Sequence, residues 1–422
     1  MLPSDFWKTA VEQEADWTGW SGMPFDAIEQ LCTSLRTPNV PCEANRLKYA
    51  RGMFFVAIEV VFDDGAVWVA RLCLGPRGGR VYSRKTVARR ISCEVATLRL
   101  VAERTTIPVP TVYAWSESVK NNLRFPYIIS SAILGRTAVE FNVPTLENFD
   151  VIPEQQREAF ARFCKSLARV QLELSRVTLD KLGSVYFDPD DQNKYVVGPY
   201  AFSGRGPYAT AAEYEAAERG HVRMLGLLKR HVSMPADHRK AAFALWLHFQ
   251  LLSAVARADE GSTTFMLSHG DLKYANIMID ENSEVIGIID WDLSCSVLKH
   301  HFATQLRDHV QMVWSAATRP GLHYTVYRDA LVSAEREQNT QRTESIAELY
   351  AAPMAQMLAF ASKFIWQESC TDDKWADAYS RALGGATDWA AERNGEAFRA
   401  WCDALEPSLC VVEPGAAGPL EP

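Results

Sequence analysis

The clearest hydrophobic pattern in the chain is a β-branched and aromatic run, Met53-Phe54-Phe55-Val56-Ala57-Ile58-Glu59-Val60-Val61-Phe62. It is closed by Asp63-Asp64-Gly65 and answered by Ala66-Val67-Trp68-Val69-Ala70-Arg71-Leu72. Two such runs around a short Asp-Gly turn predict a β-hairpin. Beyond a glycine- and arginine-bearing loop over 75–85 the period changes. Val87, Ile91, Val95, Leu98 and Ala102 recur every three or four residues and predict an amphipathic helix over 86–103. Pro108 and Pro110 end that helix and lead into further strands, best defined over 125–133. From Pro153 onward the spacing is helical, over 153–174, 210–231, 239–258 and on to about residue 404, interrupted by one β-like island at 265–290. One or two short Trp-bearing helices are expected within 1–43. The Pro/Gly/Ala-rich end, 412–422, has little to bury and is expected to be disordered.

Strands first and helices after them indicate an α+β chain, with a small antiparallel sheet ahead of a larger helical part. At 422 residues the chain exceeds the usual size of one core, so two lobes are expected. The expected divisions are a helical extension over 1–43, a sheet lobe over 44–131, a helical lobe over 132–410 and a tail over 411–422. Hydrophobic residues at 48 % and charged residues at 23 % are ordinary for a globular protein, which excludes wholesale disorder. A formal charge of −8 argues against a general nucleic-acid binder, and no run of apolar residues is long enough to span a membrane. Nine cysteines without a CxxC pair read as reduced thiols, neither a disulfide framework nor a zinc site. Asp5, Glu12, Glu14 and Asp16 fit neither a secretory signal nor a transit peptide, so a cytoplasmic protein is expected.

The island at 265–290 carries the candidate chemistry. His269-Gly270-Asp271-Leu272-Lys273-Tyr274-Ala275-Asn276 precedes a short apolar strand. A second, Val285-Ile286-Gly287-Ile288-Ile289, runs into Asp290-Trp291-Asp292 beyond the polar turn Asp280-Glu281-Asn282-Ser283. A hairpin brings the start of its first strand to the end of its second, so Asp271, Asn276 and Asp290 should converge at one mouth. Carboxylate and amide oxygens are hard ligands, suited to Mg2+ shared with phosphate oxygens. Asp271 is then the candidate base for an attacking hydroxyl, Asn276 and Asp290 the metal ligands, and His269 a scaffold for the loop. The plainer alternative is that Asp, Asn and Gly are turn formers; the joint spacing of all these groups favours the chemical reading.

These residues resemble a known family. His-Gly-Asp-Leu-x-x-x-Asn followed by Ile-Ile-Asp-Trp is similar to the catalytic loop and metal site of the aminoglycoside phosphotransferase and choline kinase-like enzymes, in particular their fungal phosphotransferase branch. The likeness runs in order over about residues 45–335. Gly65-Ala66-Val67-Trp68-Val69-Ala70-Arg71 resembles the family's third strand, and Glu94-Val95-Ala96-Thr97-Leu98 its N-lobe helix. Ile107-Pro108-Val109-Pro110 resembles the approach to the next strand, Pro126-Tyr127-Ile128-Ile129 through Gly135 the hinge strand, and Leu182-Gly183-Ser184 a landmark of the helical lobe.

The resemblance implies a protein-kinase-like two-lobed fold that binds ATP with Mg2+ and moves the γ-phosphoryl group to a hydroxyl of a small molecule. It implies that Arg71, paired with Glu94, positions the nucleotide. By periodicity alone Glu94 lies at the edge of the buried stripe, where a solvated helix face is the other option. The resemblance also sets Gly52, in Tyr49-Ala50-Arg51-Gly52-Met53, in the phosphate-covering turn, and Ser131, in Ile129-Ser130-Ser131-Ala132, in the hinge that meets the base. Lys273 either reaches the γ-phosphate or is a solvated loop lysine. The chain departs from the family where Arg71 replaces the usual Lys, where a single glycine marks the covering turn, and where the hinge lacks an acidic residue. The hinge contact is largely backbone, so that change should cost little, but Arg71 and the thin glycine turn keep a second class of function in view, a pseudokinase acting as a nucleotide- or protein-binding scaffold. A protein kinase is disfavoured because no Ala-Pro-Glu follows Asp290.

Other signals are weaker. Gly75-Pro76-Arg77-Gly78-Gly79-Arg80 lacks the spacing of a P-loop, and the six basic residues between 76 and 90 read as a solvated loop. His300-His301 has no second ligand pair at a spacing useful for zinc. Trp366, Trp375 and Trp389 read as core or cleft wall, and Asp372-Asp373 as a helix start rather than as an attraction for a cationic substrate, which the resemblance to aminoglycoside-modifying enzymes offers.

Overall fold

A computed structural model of the chain describes residues 8–9, 22–52, 54–74, 83–141, 153–219, 238–306, 322–338, 344–364 and 400. The elements begin with β1 (Lys8–Thr9), α1 (Phe25–Ser34), β2 (Cys42–Ala44), β3 (Lys48–Arg51), β4 (Phe55–Phe62), β5 (Val67–Cys73) and α2 (Arg84–Arg104). Then come β6 (Val112–Ser116), β7 (Tyr127–Ser131), β8 (Arg136–Thr137), α3 (Glu154–Leu174), β9 (Thr178–Leu179), β10 (Ser184–Phe187) and β11 (Tyr195–Gly198). The rest are α4 (Ala211–Arg219), α5 (His238–Ala258), β12 (Phe265–Ser268), β13 (Ile277–Ile279), β14 (Val285–Ile288), β15 (Cys295–Val297), α6 (Lys299–Ala303), α7 (Leu322–Glu337), α8 (Ile346–Ala351) and α9 (Pro353–Phe364). The α+β class expected from the pattern is what is observed. Two compact units divide the chain: Met1–Val177 with Gly183–Pro207 and Ser268–Cys295, and Thr178–Leu182 with Tyr208–Leu267 and Ser296–Pro422.

The first unit is built on an antiparallel sheet of order β1-β3-β4-β5-β7-β6, with β2 paired to the far end of β4. The sequence hairpin is its centre, β4 and β5 being in register from Phe55 opposite Cys73 to Val61 opposite Val67. Alternation along these strands assigns the two faces. Val56, Ile58, Val60 and Phe62 of β4, with Trp68, Ala70 and Leu72 of β5, pack with Ile28 and Cys32 of α1. Phe55 and Cys73 pack on the other face with Ile91 and Val95 of α2. The two-residue period therefore turns Arg71 toward α2. That helix starts where Ser83 Oγ accepts a hydrogen bond from the Thr86 amide at 3.1 Å. Its buried stripe includes Ile91, Val95 and Leu98, as the period predicts.

Also in this unit, β13 pairs with both β14 and β8, so the sequence island is the expected hairpin. The expectation of nearly continuous helix after Pro153 is corrected by β10 and β11, which form a second hairpin from Ser184 opposite Gly198 to Phe187 opposite Tyr195. Val185-Tyr186-Phe187 and Tyr195-Val196-Val197 flank an Asp-rich turn, so the β pattern was present but short. Arg84, Lys85, Arg89 and Arg90, counted with a solvated loop, belong to α2, and Arg90 is buried.

In the second unit, β9 pairs with β12, and α4 packs on α5 and α8 on α6. Lys299 Nζ bridges Asp259 at 3.4 Å and Glu344 at 2.9 Å. Among the described residues no helix is long and apolar enough to cross a membrane. The 75–80 loop, Met53, the far part of the 210–231 helix, Trp366, Trp375, Trp389, Asp372-Asp373 and the 411–422 tail lie outside the described residues.

Candidate active site

The site is assembled in the first unit by the β13–β14 hairpin and α2. Ile277 stands opposite Ile288, and the Ile289 amide donates to the Asn276 carbonyl at 3.0 Å. That pairing brings Asn276 and Asp290 to one end of the hairpin. Asp290 adopts φ 68°, in the left-handed region that few side chains enter, and such positions concentrate at functional sites.

His269 links the loop to this end. Its Nε2 donates to the Ile289 carbonyl at 2.9 Å, its Nδ1 accepts from the Asp271 amide at 3.3 Å, and its ring lies 4.6 Å from that of Trp291. The imidazole is fully buried, and burial lowers its pKa against the pull of Asp290 and Asp271. A neutral ring with hydrogen on Nε2 is the form that makes both bonds. Asn276 Nδ2 donates to the Asp271 carbonyl at 3.0 Å, and Lys273 Nζ to Asp271 Oδ2 at 2.7 Å.

Arg71 is the hub of the other half. One guanidinium nitrogen donates to Glu94 Oε1, and Nη2 donates to Asp290 Oδ1 at 2.9 Å. Its Cζ lies 4.5 Å from the centre of the Phe55 ring. Glu94 is only 1 % exposed, which decides between the two options left by periodicity: it faces inward. Burial pushes its carboxyl up to about 7, with Arg71 opposing the shift. The Arg71 pKa is raised: burial alone would lower it, but the charges of Glu94, Asp290 and Asp292 outweigh that effect.

A second ion pair was not foreseen. Arg90 donates to Asp292 Oδ2, and both side chains are buried. Sequence spacing held one hint, since Arg90 precedes Glu94 by four residues and so shares its helix face. Nothing local could identify a partner two hundred positions away.

Gly52 and Ser131 lie elsewhere in the sheet. The Gly52 amide donates to the Phe55 carbonyl at 2.9 Å in the turn between β3 and β4. The Ser131 amide donates to the Thr111 carbonyl at 2.9 Å, and its Oγ accepts from the Thr111 amide at 2.9 Å. Neither shares a hydrogen bond with the acidic groups.

The donor set fits Mg2+. Asn276 spends its amide nitrogen on Asp271 and so presents Oδ1, and Asp290 receives Arg71 through one oxygen only. Both are hard oxygen ligands at one hairpin end.

A sequence profile of the phosphotransferase enzyme family matches residues 61–297, more than half of the chain. No curated protein matches. Among solved structures, a putative fructosamine-3-kinase from Thermobifida fusca is 14% identical with a TM-score of 0.48, covering 84% of this chain and 98% of that one. The macrolide 2'-phosphotransferase MphH from Brachybacterium faecium is 16% identical with a TM-score of 0.41, covering 86% of this chain and 99% of that one. A Plasmodium vivax ethanolamine kinase is 12% identical with a TM-score of 0.43, covering 85% of this chain and 84% of that one. On the extent of the profile match, which contains Arg71, Glu94, Asp271, Asn276 and Asp290, the chain belongs to the phosphotransferase enzyme family.

Proposed function

We propose that the chain is an ATP-dependent kinase of a hydroxyl group on a small molecule. The observation that carries this reading is the imidazole of His269, which ties the Asp271 amide to the residue before Asp290. A candidate base and a candidate metal ligand are thereby held in fixed relation.

Residues 44–131 would form the nucleotide lobe and 132–410 the lobe that carries the acceptor. Arg71, oriented by Glu94, meets the α and β phosphates. The Gly52 turn covers the phosphates, and the Ser131 end of β7 meets the base through backbone groups. Asn276 and Asp290 would hold Mg2+, which when bound would supply positive charge against the phosphates of the nucleotide. Asp271 orients the acceptor hydroxyl and takes its proton as the new oxygen–phosphorus bond forms and the bond to ADP breaks. Lys273, beside Asp271, offsets charge on the transferring group. Most of the rate enhancement then comes from positioning, because this transfer needs little covalent help.

A scaffold without turnover is favoured by one observation: Lys273 already pairs with Asp271, and Arg71 with Asp290. A thermal melt with and without Mg-ATP, repeated on Asp290→Ala, separates the readings. Ligand at a hundred times its dissociation constant adds about 2.7 kcal/mol, a shift of several degrees. A Mg-dependent shift lost in the variant supports the nucleotide site. No shift at millimolar ATP removes the kinase reading.

A further inference from the structure

Arg90 has no role in the site as drawn so far, yet its surroundings are unusual for a helix arginine. It is 4 % exposed, on a helix whose first residue is only six positions earlier. Arginine is almost never buried to this degree unless it is paired. Its carboxylate partner, Asp292, is 6 % exposed, so both charges have left water for one another. The guanidinium also lies over the Phe54 ring, its Cζ 3.6 Å from the ring centre. Phe54 stands in the β3–β4 turn opened by Gly52, whose amide reaches across to Phe55.

Three pieces of the site thus meet at one side chain: the phosphate-covering turn through Phe54, α2 through Arg90 itself, and the Asp290–Asp292 segment through Asp292. One helical turn further along, Glu94 reaches the same segment through Arg71 and Asp290. The helix therefore grips Asp290-Trp291-Asp292 at both ends. A carboxylate two residues from Asp290 would ordinarily be a candidate second metal ligand. Here the Asp292 side chain is almost wholly buried and already receives a guanidinium.

We propose that Arg90 and Asp292 are positioning residues for the nucleotide site. In this role Asp292 is not a metal ligand but the anchor that, with Arg90, fixes Asp290 and the covering turn relative to α2. The inference rests on the kinase reading above. It adds that the capacity to bind metal-loaded nucleotide depends on an ion pair that touches neither metal nor nucleotide.

The test measures ADP affinity by calorimetry with and without Mg2+, for wild type, Arg90→Met, Asp292→Asn, the double variant and Arg90→Lys. Amide exchange across 289–294 is followed in the same proteins. Both single variants should weaken Mg-ADP binding by a similar factor, about tenfold or more. The double variant should be no weaker than either, because the two groups act as a unit. Mg-free ADP binding should weaken by a clearly smaller factor, because it loses only the hold on the covering turn, and exchange at 289–294 should rise. Arg90→Lys keeps the charge but loses the fork and the ring contact, so it should fall between wild type and Arg90→Met. It also serves as the test should Arg90→Met not fold.

Loss of Mg-ADP binding in Asp292→Asn with Arg90→Met unaffected would make Asp292 a metal ligand and overturn the proposal. Parallel losses with and without Mg2+ would reduce the pair to general stability, which also overturns it. A wild type that binds ADP with unaltered variants sinks this inference alone. A wild type that binds no nucleotide sinks the kinase reading and this inference with it.

Discussion

Gly270 sits so close to Leu293 that no side chain fits between them. Its φ is 78°, and a Cβ built there would overlap the Leu293 carbonyl oxygen and lie 3.1 Å from the Leu293 Cβ. This contact clamps the loop of Asp271 against the segment that follows Asp290. Gly270→Ala should therefore destabilise the protein by roughly 2 kcal/mol or more, since the left-handed strain comes with a backbone clash. Gly65→Ala is the control. Its φ is 85° but nothing lies within 4 Å of the new methyl, so only the strain of about 1 kcal/mol remains. Urea midpoints of the two variants check the ranking.

Asp271→Asn removes a proton acceptor while keeping size and most hydrogen bonds. Turnover should fall by a factor on the order of 10²–10⁴, and Mg-ADP affinity should stay within about twofold. Single-turnover kinetics with an accepted hydroxyl substrate, beside ADP calorimetry, give both numbers. An equally active variant would remove Asp271 from its role.

Arg71→Met leaves the buried Glu94 carboxylate without its cation. Removing one member of a buried pair costs about 3–5 kcal/mol, much of it the stranded charge. Arg71→Met combined with Glu94→Gln should recover a large part of that loss, because no buried charge is then left alone. Nucleotide affinity should not recover, since the guanidinium proposed to meet the phosphates is missing from both. Denaturation curves and calorimetry on the two proteins distinguish these outcomes.

Acid should destabilise the fold through His248. Burial lowers its pKa from the ordinary 6.5 to about 4, and its Nδ1 is buried without a hydrogen-bond partner among the described residues. Between those values the unfolded chain binds a proton that the folded one refuses, so stability rises with pH across this window. Its contribution is intact above about pH 6.5 and is lost as pH falls toward 4, amounting to about 2 kcal/mol between pH 7 and 5. His248→Gln should make that part of the pH–stability curve shallower without flattening it, because burial lowers His301 and His323 in the same direction. An unchanged slope would mean that another group titrates.

The parts of the fold that were legible in the sequence are those with a long, uniform period. The β4–β5 hairpin shows seven paired positions, and α2 repeats its apolar residues from Val87 to Ala102, about four turns, so neither depends on distant context. The β10–β11 hairpin is only four residues a side and stands in otherwise helical surroundings, which hid it. At the site, the convergence of Asn276 with Asp290 follows from hairpin topology alone. That Glu94 is buried, and that Arg90 reaches Asp292, depends on how α2 settles against a segment far along the chain. No local pattern encodes that contact.

The left-handed backbone at Asp290 carries a consequence for directed evolution and for saturation libraries at this position. Fitness there is filtered by conformation before it is filtered by charge. Asparagine and glycine enter the chain with little distortion and lose the ionic group. Glutamate keeps the ionic group but is poorly suited to that backbone, and its extra methylene moves the carboxylate away from Arg71. The two substitutions usually considered mildest for an aspartate therefore fail for opposite reasons, so a scan should find this position nearly closed even where assay conditions tolerate weak nucleotide binding.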